Sequence, residues 1–185
     1  MASKHFNTAI PQIFQNDCNC GLKDLLKKYC PKDKACFLAF VDPQKITDLK
    51  WTTLQTLLKH GKGDLIINFP TSQIVRNLKN PDSIKALNQF FGDHTWQDVD
   101  PTADSILEYF QKKIRVYRHH VNSILVKNET KQRLYDLVFA TNSKGMINAL
   151  KDLKKRLDDI RTKDIRGLYE VVIGDQKQLT FYPTK

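Results

Sequence analysis

The sequence predicts an α/β domain with a mixed sheet: a parallel βαβ core, an antiparallel strand pair extending it, and helices on both faces. Three observations carry this reading. Two short apolar runs, FLAFV (37–41) and LIINF (65–69), each break off at a polar residue and a proline, as Asp42-Pro43 and as Asn68-Phe69-Pro70. Between them lies a stretch with helical spacing of its apolar residues. Further on, HVNSILVKN and QRLYDLVFATN are two β-rich segments separated by a few polar residues, the pattern of an antiparallel pair.

Each element has its own warrant. The unbroken run FLAFV, without polar alternation, predicts a strand buried on both faces, as in a parallel sheet covered by helices. ITDLKWTTLQTLLKHG then places Ile46, Leu49, Leu54, Leu57 and Leu58 near one helical face, with Gly61 as the stop, predicting a helix of about four turns. Strand, helix and strand form a right-handed crossover that brings both strand ends to the same rim of the sheet, so Asp42 and Asn68 are predicted to be neighbours. Two short helices follow, 71–79 and 82–92, divided at Asn80-Pro81 and closed by Gly92. In PTADSILEYFQKKIRVYRHH the residues Ile106, Tyr109, Phe110, Ile114 and Tyr117 mark a buried stripe, with Lys112, Lys113, Arg115 and Arg118 off it. The antiparallel pair turns around Glu129, Thr130 and Lys131, and SKGMINALKDLKKRLDDI is the last long helix. Gly174-Asp175 sits between two β-rich stretches, predicting a hairpin or strand extension over 167–183.

Size and composition set bounds. With 185 residues, 41% of them hydrophobic and no low-complexity linker, the chain reads as a single domain, 1–185. Its formal charge of +10 favours attraction to a polyanion, so nucleic acid is a candidate partner. No run is long and apolar enough to span a bilayer, and the start MASKHFNTAIPQ lacks a secretion signal's apolar core, which predicts a soluble, cytoplasmic protein without a membrane partner. Cys18, Cys20, Cys30 and Cys36 do not have the paired spacing of a zinc site and read as reduced thiols; no metal is expected. His119 and His120 are consecutive and, in a strand, point to opposite faces, so they do not share a metal.

The strings NDCN, FLAFVDP, LIINFP, FFGDHTW and LYDLVFATNSKGMINALKDL, in this order across residues 13–157, resemble the three-Cys-motif partner proteins (TcmP), a methyltransferase-like family. More broadly, the chain resembles the second half of a class I methyltransferase, a partial Rossmann-like fold. The resemblance implies S-adenosylmethionine as cofactor, with Asp17, Cys18 and Asn19 at the segment that approaches the adenine. It implies Asp42 and Pro43 as catalytic residues that hold a target amino group; Lys45, Asn68, Phe69 and Pro70 at the same strand-end crevice, and Arg76 just downstream as a phosphate contact, are the substrate-side candidates. Accepting hydrogen bonds from an exocyclic amine orients its lone pair for in-line attack, which is a positioning role.

The departures are specific. Gln44 and Lys45 stand where the related Asn/Asp-Pro-Pro-aromatic motif has a proline and the ring that stacks a flipped base. The single G-x-G, Gly61-Lys62-Gly63, follows the Asp-Pro strand and reads as a helix stop and turn. Only about a dozen residues precede position 13, where two strands and two helices of a cofactor half belong. The expectation is therefore weak or no binding of S-adenosylmethionine by the isolated chain and no independent activity.

Each candidate also has a structural reading. Asp42 can cap a turn, Asn68 to Pro70 can be ordinary turn chemistry, and Arg76 can cover its own helix instead of meeting a phosphate. A second function class is a non-catalytic module that binds nucleic acid or a protein, including a second copy of itself, through an exposed sheet edge. A third, a Mg²⁺-dependent nuclease, rests only on Pro81-Asp82 and Glu129-x-Lys131, predicted to fall on a helix start and a turn.

Overall fold

The computed structural model describes residues 13–31 and 36–161, with side chains as far as Arg156; the expected hairpin at 167–183 lies outside the described residues. The elements run α1 (Cys18–Tyr29), β1 (Phe37–Val41), α2 (Trp51–Lys59), β2 (Gly63–Phe69), α3 (Thr71–Asn77), α4 (Ile84–Phe91), α5 (Ala103–Arg115), β3 (His120–Lys127), β4 (Arg133–Thr141) and α6 (Lys144–Arg161). Short 3₁₀ turns occupy Ile46–Asp48, Pro81–Ser83 and Thr95–Asp98.

The α/β class and the mixed sheet are as the sequence predicts. Four strands lie in the order β1-β2-β4-β3. β1 and β2 are parallel, with Phe37 opposite Gly63 and Val41 opposite Ile67. β4 is antiparallel to β2, Leu65 facing Ala140 and Phe69 facing Asp136. The chain reaches β4 through β3, which pairs with β4 on its far side. The last strand is thus inserted between its predecessors, and β3 runs parallel to β1 and β2. The β3–β4 turn is closed by Asn128, whose side-chain oxygen accepts from Gln132 N–H at 2.8 Å, with Lys131 at φ 62°.

Period-2 geometry sorts the strand residues between two faces. Leu65, Ile67, Phe69, Val121, Val138 and Ala140 form one face and join a single core cluster with Leu26 of α1, Leu54 and Leu58 of α2, Ile74 of α3, Phe90 and Phe91 of α4 and Phe110 of α5. Phe69 lies at the centre, with ring centroids 4.6 Å from Phe110 and 6.0 Å from Phe90. The other face carries Leu38, Phe40, Ile66, Asn68, Leu137 and Phe139. Phe139 there and Leu150 of α6 are buried outside the main cluster.

Several expectations are corrected. FLAFV is not buried on both faces: Leu38 is 59% and Phe40 61% exposed. The reason is position, because β1 ends the sheet among the described residues and the helices α1 to α5 gather on the opposite face, so cover on the two faces is unequal. The helix predicted over 46–61 begins only at Trp51. Leu49 is extended at φ −124° and ψ 121°, held so by the Asn19 side chain, which donates to Asp48 O at 3.0 Å and accepts from Lys50 N–H at 3.0 Å. Arg118, expected off the buried stripe, is 3% exposed because its guanidinium serves Leu58 O at 2.7 Å and Gly63 O at 3.1 Å.

Two glycines are fixed by contact. Gly92 closes α4 at φ 82°, and a Cβ there would lie 2.4 Å from the Trp51 ring. A Cβ on Gly63 would lie 2.0 Å from the Phe37 ring.

Candidate functional site

The two strand tips meet. Asn68 Nδ2 donates to Asp42 Oδ1 at 2.7 Å across the ends of β1 and β2, as the crossover geometry requires. A carboxylate only accepts, so this bond fixes the amide orientation and leaves Asn68 Oδ1 as the free acceptor. That oxygen is shielded from solvent and has no hydrogen-bond partner among the described residues. Asp42 itself is exposed, and Pro43 behind it is buried. The result is a carboxylate and an amide oxygen side by side at the carboxyl rim of the sheet, where α/β folds present their chemistry. A buried acceptor without a donor costs roughly 1–3 kcal/mol, so a donor brought to Asn68 Oδ1 recovers that cost.

The neighbouring candidates divide. Lys45 is exposed, and its backbone N–H donates to Asp48 Oδ2 at 2.9 Å to start the 3₁₀ turn beside the site. Phe69 is fully buried in the aromatic core and Pro70 is buried beside it. Neither presents a surface to a ligand: successive residues of a strand alternate faces, so Asn68 on the open face puts Phe69 inside. Arg76 is exposed, and its Nε donates to Ser72 O at 3.1 Å, covering its own helix.

Asp17, Cys18 and Asn19 form a clamp between α1 and the segment entering α2. Asp17 caps α1 by accepting from Asn19 N–H at 2.9 Å; hydrogen bonds from the Asn19 backbone and side chain hold its carboxyl below the usual range. Asn19 Oδ1 accepts from Thr53 Oγ1 at 2.7 Å as well as from Lys50 N–H. The Cys18 thiol lies 3.8 Å from Asp48 O, and burial, then the Asp17 charge, push its pKa up. With these groups engaged, and with no glycine-rich turn among the described residues to cradle a nucleotide, the trio does not fit an S-adenosylmethionine site.

Sequence reasoning missed a second polar network at the same rim. Asp136, opposite Phe69 on β4, is 1% exposed. Its Oδ2 accepts from Thr71 Oγ1 and from Arg133 Nε, the latter at 2.7 Å. Arg133 also reaches Asp104 at 2.6 Å. Burial opposes its charge, but the hydrogen bonds it donates to the two carboxylates outweigh burial and raise its pKa. The signal was present in LYDLVF: a carboxylate inside an apolar strand demands a partner. This network ties α3, β4 and α5 together beneath the Asn68 tip.

A third cluster joins the loop after α4 to α5. Asp93 accepts from Thr95 N–H at 3.0 Å and Tyr109 OH at 2.5 Å and is paired with Lys113, whose ammonium lies 4.7 Å from the Trp51 ring centroid. Burial alone would raise the Asp93 pKa, but the Lys113, Tyr109 and Thr95 hydrogen bonds prevail and lower it to about 2. Asp82 lies in the 3₁₀ turn Pro81–Ser83, and Glu129 and Lys131 lie in the β3–β4 turn. Among the described residues no three His, Cys, Asp or Glu side chains converge as a metal site, and no helix among them is long and apolar enough to cross a membrane.

Comparison of the chain with protein-family models, with curated proteins and with solved structures finds no match.

Proposed function

We propose that this chain is the acceptor-holding part of a methyltransferase-related fold, akin to the TcmP proteins, and that Asp42 and Asn68 bind the exocyclic amine of a nucleic-acid base. The observation that carries the reading is the Asp42–Asn68 bond with Asn68 Oδ1 left unpartnered. An amine offers two N–H groups: the exposed Asp42 carboxylate accepts one, and Asn68 Oδ1 accepts the other once the groups that shield it from solvent move aside. Support also comes from the sheet, in which a parallel βαβ core is extended by an antiparallel pair, as the resemblance to the second half of a class I methyltransferase implies. The net charge of +10 supplies the sequence-independent attraction to phosphate. The residues of this chain hold and orient the amine; they do not hold the methyl donor, and methylation requires cofactor-binding residues from elsewhere.

The test follows the Asn68 side-chain amide by NMR while single-stranded oligonucleotides are added. Oligo-dA and oligo-dC carry exocyclic amines, whereas oligo-dT has none. The Asn68 signals shift with the first two and not with the third, and Asp42→Ala abolishes the difference. Equal shifts with all three oligonucleotides, or none, refute the assignment. Calorimetry with S-adenosylmethionine and the chain alone is expected to give no binding heat.

A further inference from the structure

Phe40 lies opposite Ile66 across β1 and β2, and Val41 opposite Ile67. One step further the same register sets Asp42 beside Asn68, in keeping with the hydrogen bond between them. Alternate residues of a strand share a face, so Phe40 stands on the open face with Asp42, two residues back from the rim. At about 3.3 Å per residue the two positions are about 6.6 Å apart along β1. The row across the sheet at this level runs Phe40, Ile66, Phe139, and its exposure falls from 61% at Phe40 through half-buried Ile66 to 4% at Phe139. The uncovered end of the row is the end beside the site. Phe14 and Tyr29 are also exposed, but their rings cover each other, with centroids 5.5 Å apart. Phe40 packs on no other ring among the described residues.

We propose that Phe40 is the stacking platform for the base whose exocyclic amine Asp42 and Asn68 hold, so that the ligand of this rim is an unpaired base of a single-stranded nucleic acid. This rests on the function proposed above. Packed aromatic rings have centroids about 4.5–7 Å apart. A base laid on the Phe40 ring therefore spans the same interval that separates Phe40 from Asp42, and its amine edge reaches the carboxylate. A base inside a duplex has both faces covered by its neighbours, so only an unstacked base can use the ring. Stacking tolerates every base, whereas the two oxygens read the amine. The ring supplies affinity and the pair supplies choice. Leu38 is as open as Phe40, at 59%, but it lies four residues from Asp42, about 13 Å along the strand, and has no π-face. The Phe40 side chain stands off the face of the sheet, so its use leaves the backbone edge of β1 free for cofactor-binding residues. The charge of +10 draws in the phosphates on either side of the base.

Fluorescence anisotropy with oligo-dA, oligo-dC, oligo-dT and an abasic oligonucleotide of equal length tests the ring. Phe40→Leu keeps the apolar bulk, removes the π-face and, at an exposed position, leaves the circular dichroism unchanged. It is expected to weaken all three base-bearing strands by about tenfold. The abasic strand and the ratio of oligo-dA to oligo-dT affinity do not change. Phe40→Trp binds at least as tightly as the parent, and Leu38→Ala leaves binding unaltered. NMR of the parent with oligo-dA shows contacts between the Phe40 ring protons and base protons. Asn68 amide signals that shift with oligo-dA while Phe40→Leu binds like the parent would overturn the ring's role and leave the amine assignment standing. Weaker binding of the abasic strand by Phe40→Leu, or an equal loss from Leu38→Ala, marks a general apolar or structural effect and overturns it too. Ring-to-base contacts with a silent Asn68 would support the platform and refute the amine assignment.

Discussion

Replacing Asp93 by asparagine tests the electrostatics of the helical layer against a calculable number. In the folded protein the Asp93 carboxyl is lowered from 3.8 to about 2. At ~1.36 kcal/mol per pH unit this corresponds to about 2.4 kcal/mol. The Asp93 side chain is 32% exposed, and solvent screening reduces the usable part to about 1.5 kcal/mol. Because the folded pKa is depressed, this stabilisation is complete above the ordinary carboxylate value of 3.8 and is lost as pH falls through about 2. Asp93→Asn removes it at neutral pH, leaving the Lys113 ammonium over the Trp51 ring without its carboxylate. Thermal melts followed by circular dichroism between pH 7 and pH 2.5 are then expected to show the variant lower in Tm by about 3–6 °C at neutral pH. The gap should narrow steadily below about pH 4. A gap that stays constant with pH would show that the loss comes from packing, and a variant as stable as the parent at pH 7 would refute the ion pair's contribution altogether.

Two further substitutions probe the scaffold around the site. Gly92→Ala combines a left-handed backbone with a Cβ inside the Trp51 ring contact and is expected to cost at least about 3 kcal/mol in a urea melt; an unaltered midpoint would mean that Trp51 does not pack there. Asn19→Ala removes the acceptor for Lys50 N–H and Thr53 Oγ1 and the donor to Asp48 O. It should cost about 2 kcal/mol and accelerate hydrogen exchange at Lys50; exchange at the parent's rate would refute the bridging role.

Much of the fold is legible in the chain because its strands are local signals. Each of the four has an apolar or alternating run, and the Asn128 to Gln132 turn has polar punctuation. The Asp42–Asn68 contact is the strongest case: two tips separated by a helix are brought together because one crossover makes β1 and β2 parallel neighbours. What the sequence hides is long-range. Periodicity alone joins Ile46 to Leu58 in one helix, because nothing near Leu49 reveals that an asparagine thirty residues earlier holds it extended. Arg118 resembles its solvated neighbours until the carbonyls of Leu58 and Gly63 are seen to surround it. Phe69 reads as a site residue by adjacency to Asn68, yet alternation sends it to the core. FLAFV reads as doubly covered because composition records apolarity and not which elements arrive to bury it.

The two halves of the Asp42–Asn68 pair differ in stiffness. Asn68 stands on a strand bonded on both sides, and the residue after it is wedged among the rings of Phe90, Phe91 and Phe110. Asp42 leaves a strand with one described neighbour and is itself open to water. Of the pair, the amide is therefore the more firmly braced by its neighbours and the carboxylate the less.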